Sequence, residues 1–378
     1  MRLDAFTERV MRKNKNNKSK LPLTISAQYG LVDQITFFNK VIASTDMSNY
    51  YLLKKGEFAY NKSYSSDYPW GAIKRLDNYE RGALSSLYIC FAPQDNVVSD
   101  FILQYFESPK WHKGVSEIAV EGARNHGLLN VSVQDFFHTY HYVPKDKKEQ
   151  IKIAKLLMLL DERIATQSKI IDKLQSLIKG INQRVFKNSG NNYKLGEICE
   201  IRSGYSGSQL LSKKGLKVSR IETISGHKVN LERVGYVAPF ESSENYKLQV
   251  GDILFSNINS VEYIGNTAFI DKDYDLYHGM NLLRLTPNHM VVIPFYLYLL
   301  LNTNRMLNRF KTICNKAVSQ ASINQTELGK TVIQIPPIKT QKQICELYQA
   351  LYTKLETASH TKSLFQNQKQ YLLRQMFI

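Results

Sequence analysis

No long apolar run occurs in this sequence. Its most apolar stretch, Met290 to Leu301, is 12 residues and contains Pro294, short of the roughly 20 residues that a bilayer-spanning helix needs. The N-terminus is polar and has no apolar core of a secretory leader, so none is expected. Cysteine is scarce: Cys90, Cys199, Cys314 and Cys345 lie far apart, without a C-x-x-C pair. That argues against a disulfide framework or zinc site and fits a reducing cytoplasm. Acidic residues are the minority, with 33 Asp and Glu against 50 Lys and Arg in 378 residues, a net charge of +17. Such a surplus points to a polyanionic partner, most often nucleic acid. The 43% hydrophobic and 11% aromatic content excludes a disordered chain, and the length allows about two to three domains.

Catalytic signatures are also lacking. There is no Gly-x-Gly-x-x-Gly for a dinucleotide or methyl donor, and no Asn-Pro-Pro-aromatic loop of an amino-methyltransferase. Gly329-Lys330-Thr331 ends like a phosphate-binding loop, but Asn324 stands where the first glycine is required. The eight histidines are dispersed; His138 and His141 flank Tyr140 without an acidic or cysteine partner at metal-ligand spacing. They read as surface or strand residues. No cofactor and no metal are expected.

What the chain does have is an internal repeat. Glu149 to Phe186 and Thr340 to Phe377 are both 38 residues long, offset by 191, and share Gln150/Gln341, Ile153/Ile344, Leu156/Leu347, Leu160/Leu351, Thr166/Thr357, Ser168/Ser359 and Phe186/Phe377. Pro93 to Val98 with Phe101 matches Pro287 to Val292 with Phe295, offset 194. Tyr51-x-Leu53-x-x-Gly56-Glu57 matches Tyr246-x-Leu248-x-x-Gly251-Asp252, offset 195. Leu129 to Phe136 resembles Ala321 to Leu328, each followed eight residues on by Pro144 or Pro336. The chain therefore reads as two copies of one α+β unit. Each is a mixed domain followed by a long helix: 1–143 and 144–189, then 190–335 and 336–378.

Short apolar strands are expected at Ile73 to Leu76, Leu87 to Phe91, Asp252 to Phe255 and Leu282 to Leu285, with helical segments at Val98 to Phe106 and Pro294 to Leu301. The copies differ most in their loops: Ser203-Gly-Tyr-Ser-Gly-Ser208 opens the second, where the first has the basic run Arg12 to Lys20. In the first helix Ile153, Leu157, Leu160, Ile164, Gln167, Ile171, Leu174, Ile178, Ile181 and Val185 keep strict 4-3 spacing, a coiled-coil seam. The second keeps the register with Ile344, Tyr348, Leu351, Leu355, Ala358, Lys362, Phe365, Lys369, Leu372 and Met376, and its two lysines can snorkel along a partner. A 38-residue helix is about 57 Å long, too long to hide such a stripe in a small domain. The expected partner is the other copy's helix.

The remaining polar signal is basic and aromatic: Lys62, Tyr64, Lys74, Arg75, Arg124, Asn125, Tyr205, Ser206, Lys213, Lys214, Arg220, Asn257, Asn259 and Lys316, all expected in loops or at strand ends. Arg, Lys and Asn read base edges, while Lys, Arg and Ser hold phosphates.

Val143-Pro144, Glu149-Gln150-x-x-Ile153-Ala154, Leu160-Asp161, Ile164 and Gln183-x-x-Phe186, with Ile335-Pro336-Pro337, Gln341, Ile344, Leu351 and Gln375-Met376-Phe377, resemble the specificity subunit of type I restriction-modification systems. Essentially the whole chain takes part. Tyr51 to Asn61 and Tyr246 to Ser256 look like its target-recognition domains. Three features depart from the pattern: Tyr352 stands where the first helix has Asp161, Thr340 where it has Glu149, and the first copy lacks the Gly-Ser loop. The resemblance implies two domains that each read half of a split double-stranded DNA site. It also implies an antiparallel helix pair that sets their spacing and docks two methyltransferase subunits, with nuclease-translocase subunits in the full complex. Methyl donor and ATP would belong to those partners, and the chain itself would be non-catalytic, cytoplasmic and free of the membrane. Two alternatives stay open: a specificity polypeptide of a type IIB or IIG system, and a coiled-coil nucleic-acid-binding scaffold without sequence specificity.

Overall fold

In each copy a glycine followed by an acidic residue makes the turn into the sheet. Gly56 and Gly251 take φ of +87° and +101°, a left-handed conformation in which a side chain would be strained. The next residue closes the turn: Glu57 accepts the backbone N–H of Lys54 at 2.8 Å, and Asp252 that of Gln249 at 2.8 Å. Short strands rich in aromatic and branched residues then follow, Phe58–Asn61 and Ile253–Phe255, buried along most or all of their length.

The computed structural model describes residues 1–119, 127–186, 190–316 and 320–377. The chain divides into two units, Met1–Ile170 with Ala358–Ile378, and Ile171–Thr357. Each holds an antiparallel four-stranded sheet of the same order. In the first, Thr7–Arg9 pairs with Ile89–Pro93, which pairs with Phe58–Asn61, which pairs with Ala72–Arg75. In the second the order is Cys199–Ser203, Leu283–Pro287, Ile253–Phe255 and Thr267–Phe269. The repeat read in the sequence is a repeat of topology.

A helix follows the corresponding strand in both, Ser99–Glu107 and Pro294–Leu301. The first core is aromatic: Phe58 and Phe91 stack at 5.3 Å, and Phe101, Phe106, Trp111 and Phe136 close around them. The second is more aliphatic, with Leu283, Leu285, Leu297 and Leu301 around Phe255 and Phe310.

The long helices span Lys147–Val185 and Ile338–Gln375, and the division between the units falls inside both. All ten positions of each 4-3 stripe are buried or half-buried, whereas Leu156, Leu159, Leu177 and Leu364 beside them are exposed. In the first unit Ala154 and Leu157 share a core with Leu373 and Phe377, Asp161 Oδ1 meets Lys369 Nζ at 2.6 Å, and the Arg163 guanidinium lies 5.5 Å from the Phe365 ring. Numbers rise along one helix as they fall along the other, so the segments run antiparallel. In the second unit Ile344 and Tyr348 join Ile178, Ile181 and Phe186 in one core, and Tyr348 Oη donates to Asn182. Lys369 is therefore ion-paired within its seam rather than only extended along it. Among the described residues no helix is long and apolar enough to cross a membrane.

Candidate nucleic-acid interface

Strand register decides which loops meet. In the second sheet Ser203 and Phe255 both face Leu283, and Phe255 also faces Thr267. The loops after Ser203 and Phe255 and those before Thr267 and Leu283 thus leave the same end of the sheet. That end gathers Tyr205, Ser206, Asn257 and Asn259. In the first sheet the corresponding end lies at Arg9, Asn61, Ala72 and Ile89, and Lys62 and Tyr64 extend from it.

The Gly-Ser loop is held by close backbone approach. A Cβ on Gly204 would sit 1.9 Å from Gly279 O, so only glycine fits. This lets Tyr205 N–H donate to His278 O at 2.9 Å. The Tyr205 ring then stacks on Phe240 at 3.9 Å and meets Tyr246 edge-on at 5.6 Å. Ser206, Lys213 and Lys214 are exposed, and neither lysine makes an ion pair among the described residues. Arg220 Nε lies 3.4 Å from Glu222. His278 is buried, with Nε2 3.0 Å from Leu282 O, and burial pushes its pKa down to about 4. It is a neutral structural group at physiological pH.

Asn257, Asn259 and Lys316 meet in a second feature of the same unit. Ile258–Asn259 pairs with Ala321–Ser322, which pairs with Asn315–Lys316, so that Asn259 and Lys316 both face Ala321. Ile323 N–H donates to Asn257 O at 2.9 Å. The first unit uses the same type of bond, Leu129 N–H to Lys62 O at 2.9 Å, and bridges Ser63 to Leu128. At the offset of 195, Lys62 is the counterpart of Asn257 and Tyr64 that of Asn259. Asn259 is locally engaged, donating to Ser256 Oγ at 3.1 Å and accepting from Ser260 N at 2.8 Å. Lys62 Nζ lies 3.4 Å from Val131 O, while the Tyr64 ring is exposed.

One placement is corrected. Lys74 lies inside the strand Ala72–Arg75 rather than in a loop; it is buried, and its ammonium meets Glu107 at 2.5 Å. Arg75 ends that strand on the side away from Lys62 and binds Asp100 and Asp77, both at 2.7 Å. Both cations hold the helix Ser99–Glu107 to the sheet. Arg124 and Asn125 lie outside the described residues. The basic run of the first copy is structural at its start: Arg12 grips Glu57 at 3.0 Å and Lys13 lies over the Tyr51 ring at 4.3 Å.

The phosphate-loop ending is a helix terminus. Asn324 caps Gln325–Gly329, accepting Glu327 N–H at 2.8 Å, and Lys330 pairs with Glu327 at 2.9 Å. His141 is buried against Tyr105 Oη at 3.0 Å and Thr139 Oγ1 at 2.7 Å, and burial lowers its pKa to about 4. Among the described residues no group of His, Cys, Asp and Glu is arranged to hold a metal ion. Phe240, which braces Tyr205 together with Tyr246, was not singled out by sequence; its only signal is aromaticity, shared with many core residues. The surface assembled here offers hydrogen-bond donors, aromatic faces and cations at one sheet end, the chemistry that meets phosphates and base edges.

The family model described as type I restriction modification DNA specificity domain matches residues 189–364. The second copy is therefore similar to the DNA specificity domain of type I restriction-modification systems. The chain is 39% identical over 188 residues to the putative type I restriction enzyme MjaX specificity subunit of Methanocaldococcus jannaschii, covering 49% of this chain and 44% of that one. It is 23% identical over 291 residues to the type I restriction enzyme EcoKI specificity subunit of Escherichia coli, covering 70% and 61%. The chain thus spans about half the length of the first of these relatives and under two thirds of the second. The fold matches that of the type I restriction-modification S subunit from M. genitalium with a TM-score of 0.60 at 15% identity, over 100% of this chain and 95% of that one. A second structure, from work on complex assembly and conformational transition of the type I system, matches at 0.59 and 16%, over 99% and 95%. The fold of these two solved chains covers both copies, including the one that lies outside the matched domain.

Proposed function

We propose that this chain is the DNA-specificity subunit of a type I restriction-modification complex. In this reading residues 1–143 and 190–335 each recognise one half of a split double-stranded site. The observation that carries it is the doubled sheet end, where equivalent loops extend in both units with different side chains, Lys62 and Tyr64 in one, Asn257 and Asn259 in the other. Equivalent scaffolds with unlike reading groups fit a site whose halves have different sequences. The long helices separate the two readers and supply the docking surface for two methyltransferase subunits. Support for docking comes from the outer face of the first helix, where Ile151 and Leu159 are exposed beside a groove of about 300 Å³ lined also by Val98, Met158 and Glu162. Nuclease-translocase subunits complete the complex. Methyl transfer, ATP use and cleavage belong to those partners.

Mapping methylated adenines in DNA from cells that express the chain with its methyltransferase tests this reading. A split motif with a fixed spacer is the expected result. A continuous motif, or methylation without sequence preference, overturns it.

A further inference from the structure

Gln150 and Gln341 occupy the same position in the two copies, and both are almost wholly buried, with 1% and 0% of their surface exposed. Each amide joins the same three parts of its unit. Gln150 Oε1 accepts the N–H of Val98 at 2.7 Å, and Gln341 Oε1 that of Ile293 at 2.8 Å. Val98 and Ile293 are the N-cap residues of Ser99–Glu107 and Pro294–Leu301, and neither cap has a side-chain acceptor of its own. Gln150 Nε2 donates to Pro144 O at 2.7 Å; Gln341 Nε2 donates to Pro336 O at 2.8 Å and also to Val291 O at 3.1 Å. One side chain thus ties the domain helix, the strap leaving the domain and the first turn of the long helix. The task requires a donor and an acceptor on one planar group at that reach. Glutamate has no donor, and asparagine is a methylene too short.

We infer that Gln150 and Gln341 are positioning residues that fix the angle between each reading domain and its long helix, and through it the number of base pairs between the half-sites. This rests on the proposed function. The clasp lies beyond the Pro93 end of the first sheet, opposite the end that carries Lys62. At ~3.3 Å per strand residue the reading loops are about 20 Å from it. A rotation of about 10° there moves them by the rise of one base pair, ~3.4 Å. Both glutamine side chains are almost wholly buried, so solvent replaces a lost partner poorly.

The test uses the full chain assembled with its methyltransferase, in wild type and in Gln150→Glu and Gln341→Glu forms, with the methylated motif as readout. The expected result is unchanged half-sites, a single spacer for wild type, and a several-fold larger share of methylation at longer or shorter spacers for each variant. A purely structural role would lower the melting temperature and total methylation while leaving the spacer fixed; that outcome overturns the inference. Should a glutamate variant not fold, Gln→Asn at the same position replaces it. Hydrogen exchange on wild type gives a second criterion: protected Val98 and Ile293 amides are expected, and rapid exchange there also overturns it. A wild type without a split motif sinks the specificity reading itself. A split motif with invariant spacers in folded variants sinks only the clasp.

Discussion

Lys213 and Lys214 are exposed and Lys74 is buried against Glu107, so three lysines of one composition class serve different ends. A solvated lysine on a long stem suits a phosphate better than a base edge. Replacing Lys213 and Lys214 together by alanine is expected to make the slope of log affinity against log salt shallower by about 2, with the half-sites unchanged. Salt titration of DNA binding by the full chain measures it. Lys74→Ala should leave that slope alone and cost about 1–3 kcal/mol of stability, because Glu107 loses its partner. A residue-scale pH effect follows from His141 and His278. Burial holds both neutral in the fold until about pH 4, whereas in the unfolded chain they take up protons below about pH 6.5. Their contribution is therefore complete above pH 6.5 and declines as the pH falls towards 4, by up to about 1.4 kcal/mol per pH unit for each. Denaturant melts between pH 7 and 4, with His141→Gln and His278→Gln as comparisons, check the decline.

The elements show how the repeat tolerates divergence. Asp161 accepts from Gln104 at 2.9 Å and pairs with Lys369, while its counterpart Tyr352 packs edge-on to Phe295 at 6.4 Å and to Tyr348 at 6.0 Å. The departure noted in the sequence replaces a polar contact between helix and domain with an aromatic one, and the helix keeps its seat. Adjacent positions on one helix separate seam from outer face. Leu157 is fully buried and Leu156 is 44% exposed. Leu157→Ala should lower stability by about 2–5 kcal/mol through the lost burial and the cavity. Leu156→Ala should cost well under 1 kcal/mol and, if that face docks a partner, weaken assembly with the methyltransferase. Chemical denaturation and pull-down of the two variants separate these effects.

At the scale of the whole molecule, the proposal makes the helix pair the spacer between the two reading domains. Inserting four residues after Ala165 and four after Glu356 lengthens both helices by about 6 Å and preserves the seam face approximately. The distance between half-sites should grow by about one base pair, two at most, at ~3.4 Å per pair, with both half-sites unaltered. Insertion in one helix alone should mismatch the seam and weaken assembly. The methylated motif of the double-insertion variant measures it; an unchanged spacer at full activity would remove the helices from the role of ruler.

The duplication, the strand-bearing segments, the long helices and their seam were all legible in the sequence, because each rests on local periodicity: 4-3 spacing reaches its own face whatever the tertiary context, and Gly56-Glu57 and Gly251-Asp252 specify their turns within four residues. The candidate interface was legible only in part. Lys62 and Asn257 were singled out separately, but only strand register places them at equivalent sheet ends. Composition likewise grouped Lys74 and Arg75 with the candidate reading residues, and the fold turns them towards Glu107 and Asp100. Phe240 became recognisable as a brace only when Gly204 and Gly279 brought Tyr205 against it. A cation's role depends on which group faces it across the chain. That pairing is made by long-range contacts, on which local sequence carries no information.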